Sequence, residues 1–143
     1  MNSFFKGWQV FAFGSAFFAG LTAIFGKLGV ARINSNLATF IRTIVILLVI
    51  SLFLTCRGEW QRPVGLARRD VLFLILSGVA TGLSWLCYYR ALQLGPASRV
   101  APVDKLSVVF AIMLAIIFLG EQMSWKVVLG GALVTAGAVV MAL

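Results

Sequence analysis

The stretch "APVDKLSVVF", Ala101 to Phe110, places Asp104 and Lys105 side by side at the head of an uncharged run of fifteen residues, Leu106–Gly120. A helix needs about 20 residues to cross the hydrocarbon core of a bilayer. Leu106–Gly120 is too short alone and spans only if its helix starts earlier and takes in both charges. The same holds for Thr43–Cys56, fourteen residues, which must take in Arg42. Three other uncharged runs reach or nearly reach full length unaided: Trp8–Gly26 and Val71–Tyr89, nineteen residues each, and Val127–Leu143, seventeen. These runs predict an all-α integral membrane fold of about five transmembrane helices, roughly 8–28, 37–55, 71–92, 97–119 and 126–143, in one domain covering 1–143.

Composition points the same way. Hydrophobic residues make up 62% of the 143 residues and charged residues 11%, against about 45–50% and about 25% in soluble domains. A soluble chain of this size has too much surface for its volume to hide that apolar fraction. Continuous apolar runs without period-two alternation speak against a membrane β-barrel. The first segment does not read as a cleaved signal: only Lys6 precedes it, its run is too long for a signal h-region, and four more spans follow. There is no histidine, no Cys/His metal spacing, no Gly-rich phosphate loop and no paired carboxylates. Nothing therefore predicts an enzyme, a metal site or a cofactor. The net charge of +8 is divided between two membrane faces and forms no coherent patch for nucleic acid. Cys56 and Cys87 fall on different helices near opposite faces and read as small apolar packing residues, not as a disulfide.

The charges also bear on topology. The face that holds the N-terminus, face A, receives Lys6, Arg57, Arg62, Arg68, Arg69 and Lys126, and the opposite face B receives Lys27, Arg32, Arg42, Arg90, Arg99 and Lys105: six against six. The positive-inside rule finds no bias in that count. If Arg42 and Lys105 are embedded and do not count, face A leads six to four and lies in the cytoplasm. Trp8, Trp60 and Trp125 fall at the face A boundary, as an aromatic belt would. Lys27 and Arg42 are fifteen residues apart, as are Arg90 and Lys105, so a shift of 63 superimposes both pairs. The first four helices thus read as two similar hairpins that each bring two cations to face B.

Charges within the hydrocarbon region are costly and usually face a partner or a wet cavity. At about 1.5 Å rise per residue, Arg42 and Asp104 each lie roughly 8–10 Å below the face B boundary. Asp104 is the one acid inside a predicted helix, with Arg42, Lys105 and Arg90 as candidate partners. Three readings stay open. Asp104 pairs with Arg42 as a strut; or these residues line the mouth of a substrate cavity, with Asp104 tuning charge or carrying a proton; or the long side chains of Lys27, Arg90 and Lys105 snorkel to the interface. Gly78, Gly82, Trp85 and Tyr89 share one helix face, a small-residue contact continued by aromatics that serve either packing or a pocket wall. Gly130 and Gly131 open a second small-residue seam in the last helix. Pro102 either loosens its helix at membrane depth, as at transporter binding sites, or sits unremarked in the first turns. Glu121 reads as a structural residue of a short turn, with Ser124 the N-cap of the last helix.

Set against known families, the segment "WLCYYRALQLGPASRVAPVDKLSVVFAIMLAIIFLGEQMSWKVVLGGALVTAGAVV", Trp85–Val140, resembles the EamA-type repeat of the drug/metabolite transporter superfamily. "YYRAL", the proline near the start of the fourth helix, "LGE" at its end and the Gly/Ala-rich last helix carry the likeness, together with "AIFGKLGV" and the arginine of "IRTIV". The resemblance sets Lys27, Arg42, Tyr89, Arg90, Pro102 and Glu121 at motif positions. It implies a multi-pass secondary transporter of the cell (inner) membrane, in contact with lipid and a small-molecule substrate and exporting a small organic metabolite. A flippase subunit for a polyprenyl-phosphate-linked sugar and a non-transporting membrane assembly subunit are the alternatives. Larger members carry two five-helix repeats in opposite orientations, whereas this sequence holds one. That difference implies a homodimer, antiparallel or not, or a paired homologous subunit.

Overall fold

A computed structural model describes residues 7–60 and 67–143. Lys6 and Arg62, counted above, lie outside the described residues. The described residues form six helices and no strand: α1 (Gly7–Gly29), α2 (Ser35–Arg57), α3 (Arg68–Leu94), α4 (Ala97–Asp104), α5 (Ser107–Leu119) and α6 (Trp125–Ala142). Among the described residues, five helical segments are long and apolar enough to cross a membrane, with Ala97–Leu119 counted as one span. The chain is an all-α, multi-pass membrane protein.

Helix ends follow local chemistry. The Asn34 side-chain oxygen accepts from Asn36 N–H at 2.8 Å and caps α2. Gly58, at φ +64°, ends α2 with two closing bonds, Gly58 N–H to Thr55 O at 3.2 Å and Glu59 N–H to Leu54 O at 3.0 Å. Gly120, also at φ +64°, ends α5, and Glu121 N–H reaches back to Ala115 O at 3.3 Å. Ser124 caps α6 as expected, its Oγ accepting from Val127 N–H at 3.3 Å.

The fourth span is two helices where one was expected. Pro102 has no N–H to give to the Ser98 carbonyl, and its ring crowds that turn. Lys105 N–H bonds Pro102 O and Leu106 N–H bonds Val103 O, both at 3.0 Å. These three-residue bonds tighten one turn before α5 begins. Asp104 and Lys105 therefore sit at a break in the helix.

The residues divide into two compact units. One is Gly29–Gln93, with α2 and nearly all of α3; the other joins α1 up to Leu28 with Leu94–Leu143. In the first, Val30, Ser35, Ala38, Thr39, Tyr89 and Leu92 are buried, with Val30 and Leu92 at 0% exposure. Hydroxyls within the spans bond carbonyls one turn back, as in Thr39 to Ser35 O at 2.9 Å and Thr43 to Thr39 O at 2.8 Å. Such back-bonding satisfies a polar group that lipid cannot. In the second unit α4 packs along α6, and Ala138 is buried there.

Contact at the small residues is uneven. A Cβ added at Gly131 would meet Ile112 Cδ1 at 3.6 Å, whereas one at Gly78, Gly82 or Gly130 would meet nothing within 4 Å among the described residues. Cys56 and Cys87 are free and exposed. They are surface residues of their helices, where packing roles were expected.

Replacing the α6 cap, Ser124→Ala, is expected to lower stability by about 1 kcal/mol in detergent-micelle unfolding titrations, and Ser124→Asp to restore most of it. Equal stability of Ser124→Ala and the parent would contradict the capping assignment.

Candidate functional site

The Gly29–Gln93 unit holds a cation clamped by aromatics. α2 brings in Arg42 about 10 Å along its axis from Ser35. α3 presents Trp85 and Tyr89 one turn apart on a single face. Arg42 Cζ lies 4.0 Å from the Trp85 ring centroid and 5.3 Å from that of Tyr89. Both are within cation–π range, where desolvated contacts contribute about 2 kcal/mol. Tyr89 is 5% exposed, and its ring meets Tyr88 edge-on at 6.3 Å. Nη1 of Arg42 is buried with no hydrogen-bond partner among the described residues. A π face is a weak acceptor, so the clamp holds the charge without satisfying this donor.

Next to Tyr89 along α3, Arg90 Nη1 donates to Gln93 Oε1, one turn on, at 2.7 Å. The Gln93 amide nitrogen donates to Ile33 O at 3.0 Å and Val30 O at 3.4 Å. Gln93 thus ties Arg90 to the loop that enters α2 and fixes the mouth of the hairpin. Sequence reasoning did not single it out. Its signal was its place three residues after Arg90, a spacing that sets side chains adjacent on a helix.

The other unit holds the remaining candidates. Lys27 Nζ donates to Gly95 O at 2.8 Å, which ties the end of α1 to the connection entering α4. Asp104 forms an ion pair with its neighbour Lys105 at 3.6 Å, their side chains 36% and 56% exposed. Pro102 and Lys105 border an open groove of about 600 Å³ between α4 and α6, whose far wall is Leu133, Val134, Gly137, Ala138 and Met141. Glu121 lies at a second cavity of about 340 Å³ under the α5–α6 turn, with Ile112, Ile116 and Val127. The structure thus brings Arg42, Trp85 and Tyr89 together, with Arg90 close in sequence, and gives Asp104 a cation beside it in the chain.

The chain belongs to the EamA-like transporter family, whose model it matches over residues 6–143. It is a membrane transporter of the drug/metabolite type. It is 53% identical over 137 residues to an uncharacterised transporter of a Sinorhizobium species encoded in the cobO 3′ region, covering 96% of this chain and 97% of that one. It is 37% identical over 87 residues to a probable terminal-alkyne amino-acid exporter of Streptantibioticus cattleyicolor, covering 56% of this chain and 28% of the relative. It is 34% identical over 124 residues to human solute carrier family 35 member G1, covering 85% of this chain but 33% of that protein. The chain thus spans about a third of the length of these last two relatives. No solved structure matches it.

Gln93→Leu removes two donors and the acceptor of Arg90, and is expected to cost about 1–3 kcal/mol of stability by unfolding titration in mixed micelles. Gln93→Glu, which keeps the acceptor, should lose less. A Gln93→Leu protein as stable as the parent would show that the Gln93 tie is incidental.

Proposed function

We propose that the chain is a secondary transporter of the cell (inner) membrane that exports a small organic metabolite as a homodimer of oppositely inserted five-helix repeats. The observation that carries this reading is Arg42: a fixed charge held on aromatic faces inside a span, with a buried donor unfilled. Ionisable groups in that setting mark substrate or ion pathways. The substrates to test first are amino acids, after the name of the Streptantibioticus relative, and beside them small monocarboxylates, since Arg42 offers one fixed positive charge. Lys27 and Arg90 are engaged by Gly95 and Gln93, which leaves the basic cluster less available to a polyprenyl phosphate.

The second copy rests on two supports. Two inverted repeats enclose a midplane site in the way alternating access requires, and this chain supplies one. Gly78, Gly82 and Gly130 leave room for a close neighbour, which small residues permit between membrane helices. With Arg42 taken out of the charge count, the faces carry six and five basic residues, a balance compatible with insertion in both directions.

Proteoliposomes holding the purified chain should show saturable flux of an amino acid or a small monocarboxylate. A cysteine added after Leu143, in a Cys56→Ala, Cys87→Ala background, should be labelled from both sides of intact cells. Labelling from one side only would exclude the antiparallel homodimer. No flux of any metabolite, alongside specific co-purification with a larger complex, would replace the transport reading with an assembly subunit.

A further inference from the structure

The Gly29–Gln93 unit contains two acids, Glu59 and Asp70. Glu59 pairs with Arg57 at 2.7 Å. Asp70 lies in the first turn of α3, about 22 Å along the helix from Trp85. Neither acid reaches Arg42. Arg90, the other cation near the clamp, is taken by Gln93. Arg42 thus presents one fixed positive charge, oriented by two rings, with a buried N–H group that finds no acceptor among the described residues. An unfilled buried donor on a charged group is among the costlier defects a fold can carry.

We propose that Arg42, Trp85 and Tyr89 form a recognition site for the carboxylate of a small, singly charged organic anion whose apolar portion lies against the two rings. A guanidinium is a planar fork that matches a carboxylate by two parallel hydrogen bonds. One cation neutralises one negative charge. A phosphate dianion or a dicarboxylate would leave a net charge at membrane depth, where it is expensive. The ring surfaces beside the cation favour an apolar substituent over a hydrated one. The inference rests on the transport reading for its biological meaning, but its test is one of binding.

Trp85 is both a wall of the site and a fluorophore. In the full chain in lipid nanodiscs, with Trp8, Trp60 and Trp125 changed to Phe, Trp85 emission reports the clamp alone. At neutral pH, 4-methylpentanoate is expected to give a saturable emission change. Its isostere 4-methylpentanamide, and inorganic phosphate, should each bind at least about tenfold more weakly, a difference of about 1.4 kcal/mol. Arg42→Gln should weaken carboxylate binding by a similar factor or more, while Arg42→Lys retains part of it. Should Arg42→Gln fail to fold, the ratio of acid to amide in the Arg42 protein decides. Equal binding of acid and amide, tighter binding of phosphate, or no saturable response to the carboxylate overturns the proposal. So does a tenfold gain in carboxylate affinity on Asp104→Asn, which would mean that Asp104 already fills Arg42. Flux without carboxylate preference would remove this inference and leave transport standing; carboxylate binding without flux of any solute would do the reverse.

Discussion

A guanidinium set within a membrane span must be held by something other than water, and here the faces of Trp85 and Tyr89 hold it. The ring quadrupole attracts the cation most strongly where solvent is excluded. That requirement orders the hairpin around it. Tyr89 is buried, as are Leu92, Val30 and Thr39 of the same unit. Gln93 fastens the same end of α3 to the loop entering α2. The arrangement steers the positive charge without cancelling it, and a transporter needs such a charge if its cargo is an anion.

The bilayer imposes the rest. With no water to accept them, backbone groups in the spans pair within helices. Threonine hydroxyls bond back to carbonyls one turn earlier, as Thr81 does to Ser77 O and Thr135 to Gly131 O, both at 2.8 Å. The exception is the turn after Pro102, where two three-residue bonds replace the regular ladder and a charged pair occupies the gap. Polar side chains at an interrupted helix are tolerated where the helix faces protein or a cavity, and the α4–α6 groove runs beside Pro102 and Lys105.

Much of this was legible in the residues, for identifiable reasons. Apolar runs bounded by Lys27, Arg57 and Arg68 fix helix positions because a charge marks where hydrocarbon ends. The Trp85–Tyr89 spacing placed both rings on one face, and Arg42 had to lie within a span for Thr43–Cys56 to cross. What could not be read was which cation the aromatics would meet, since partner choice between helices leaves no periodic trace. Gln93 escaped notice for the same reason: a lone polar residue near a helix end looks like an interface residue until the loop it grips is placed. The glycine faces of α3 and α6 read alike in sequence, yet of the glycines singled out there only Gly131 finds a close neighbour.

If the Trp85 ring holds the Arg42 charge, the two side chains are energetically coupled within the hairpin. A double-mutant cycle of Arg42→Met and Trp85→Leu, read by unfolding titration in lipid bicelles, measures the coupling directly. A favourable coupling of about 1–2 kcal/mol is expected. Additivity of the two substitutions to within about 0.3 kcal/mol would show that the ring does not hold the charge.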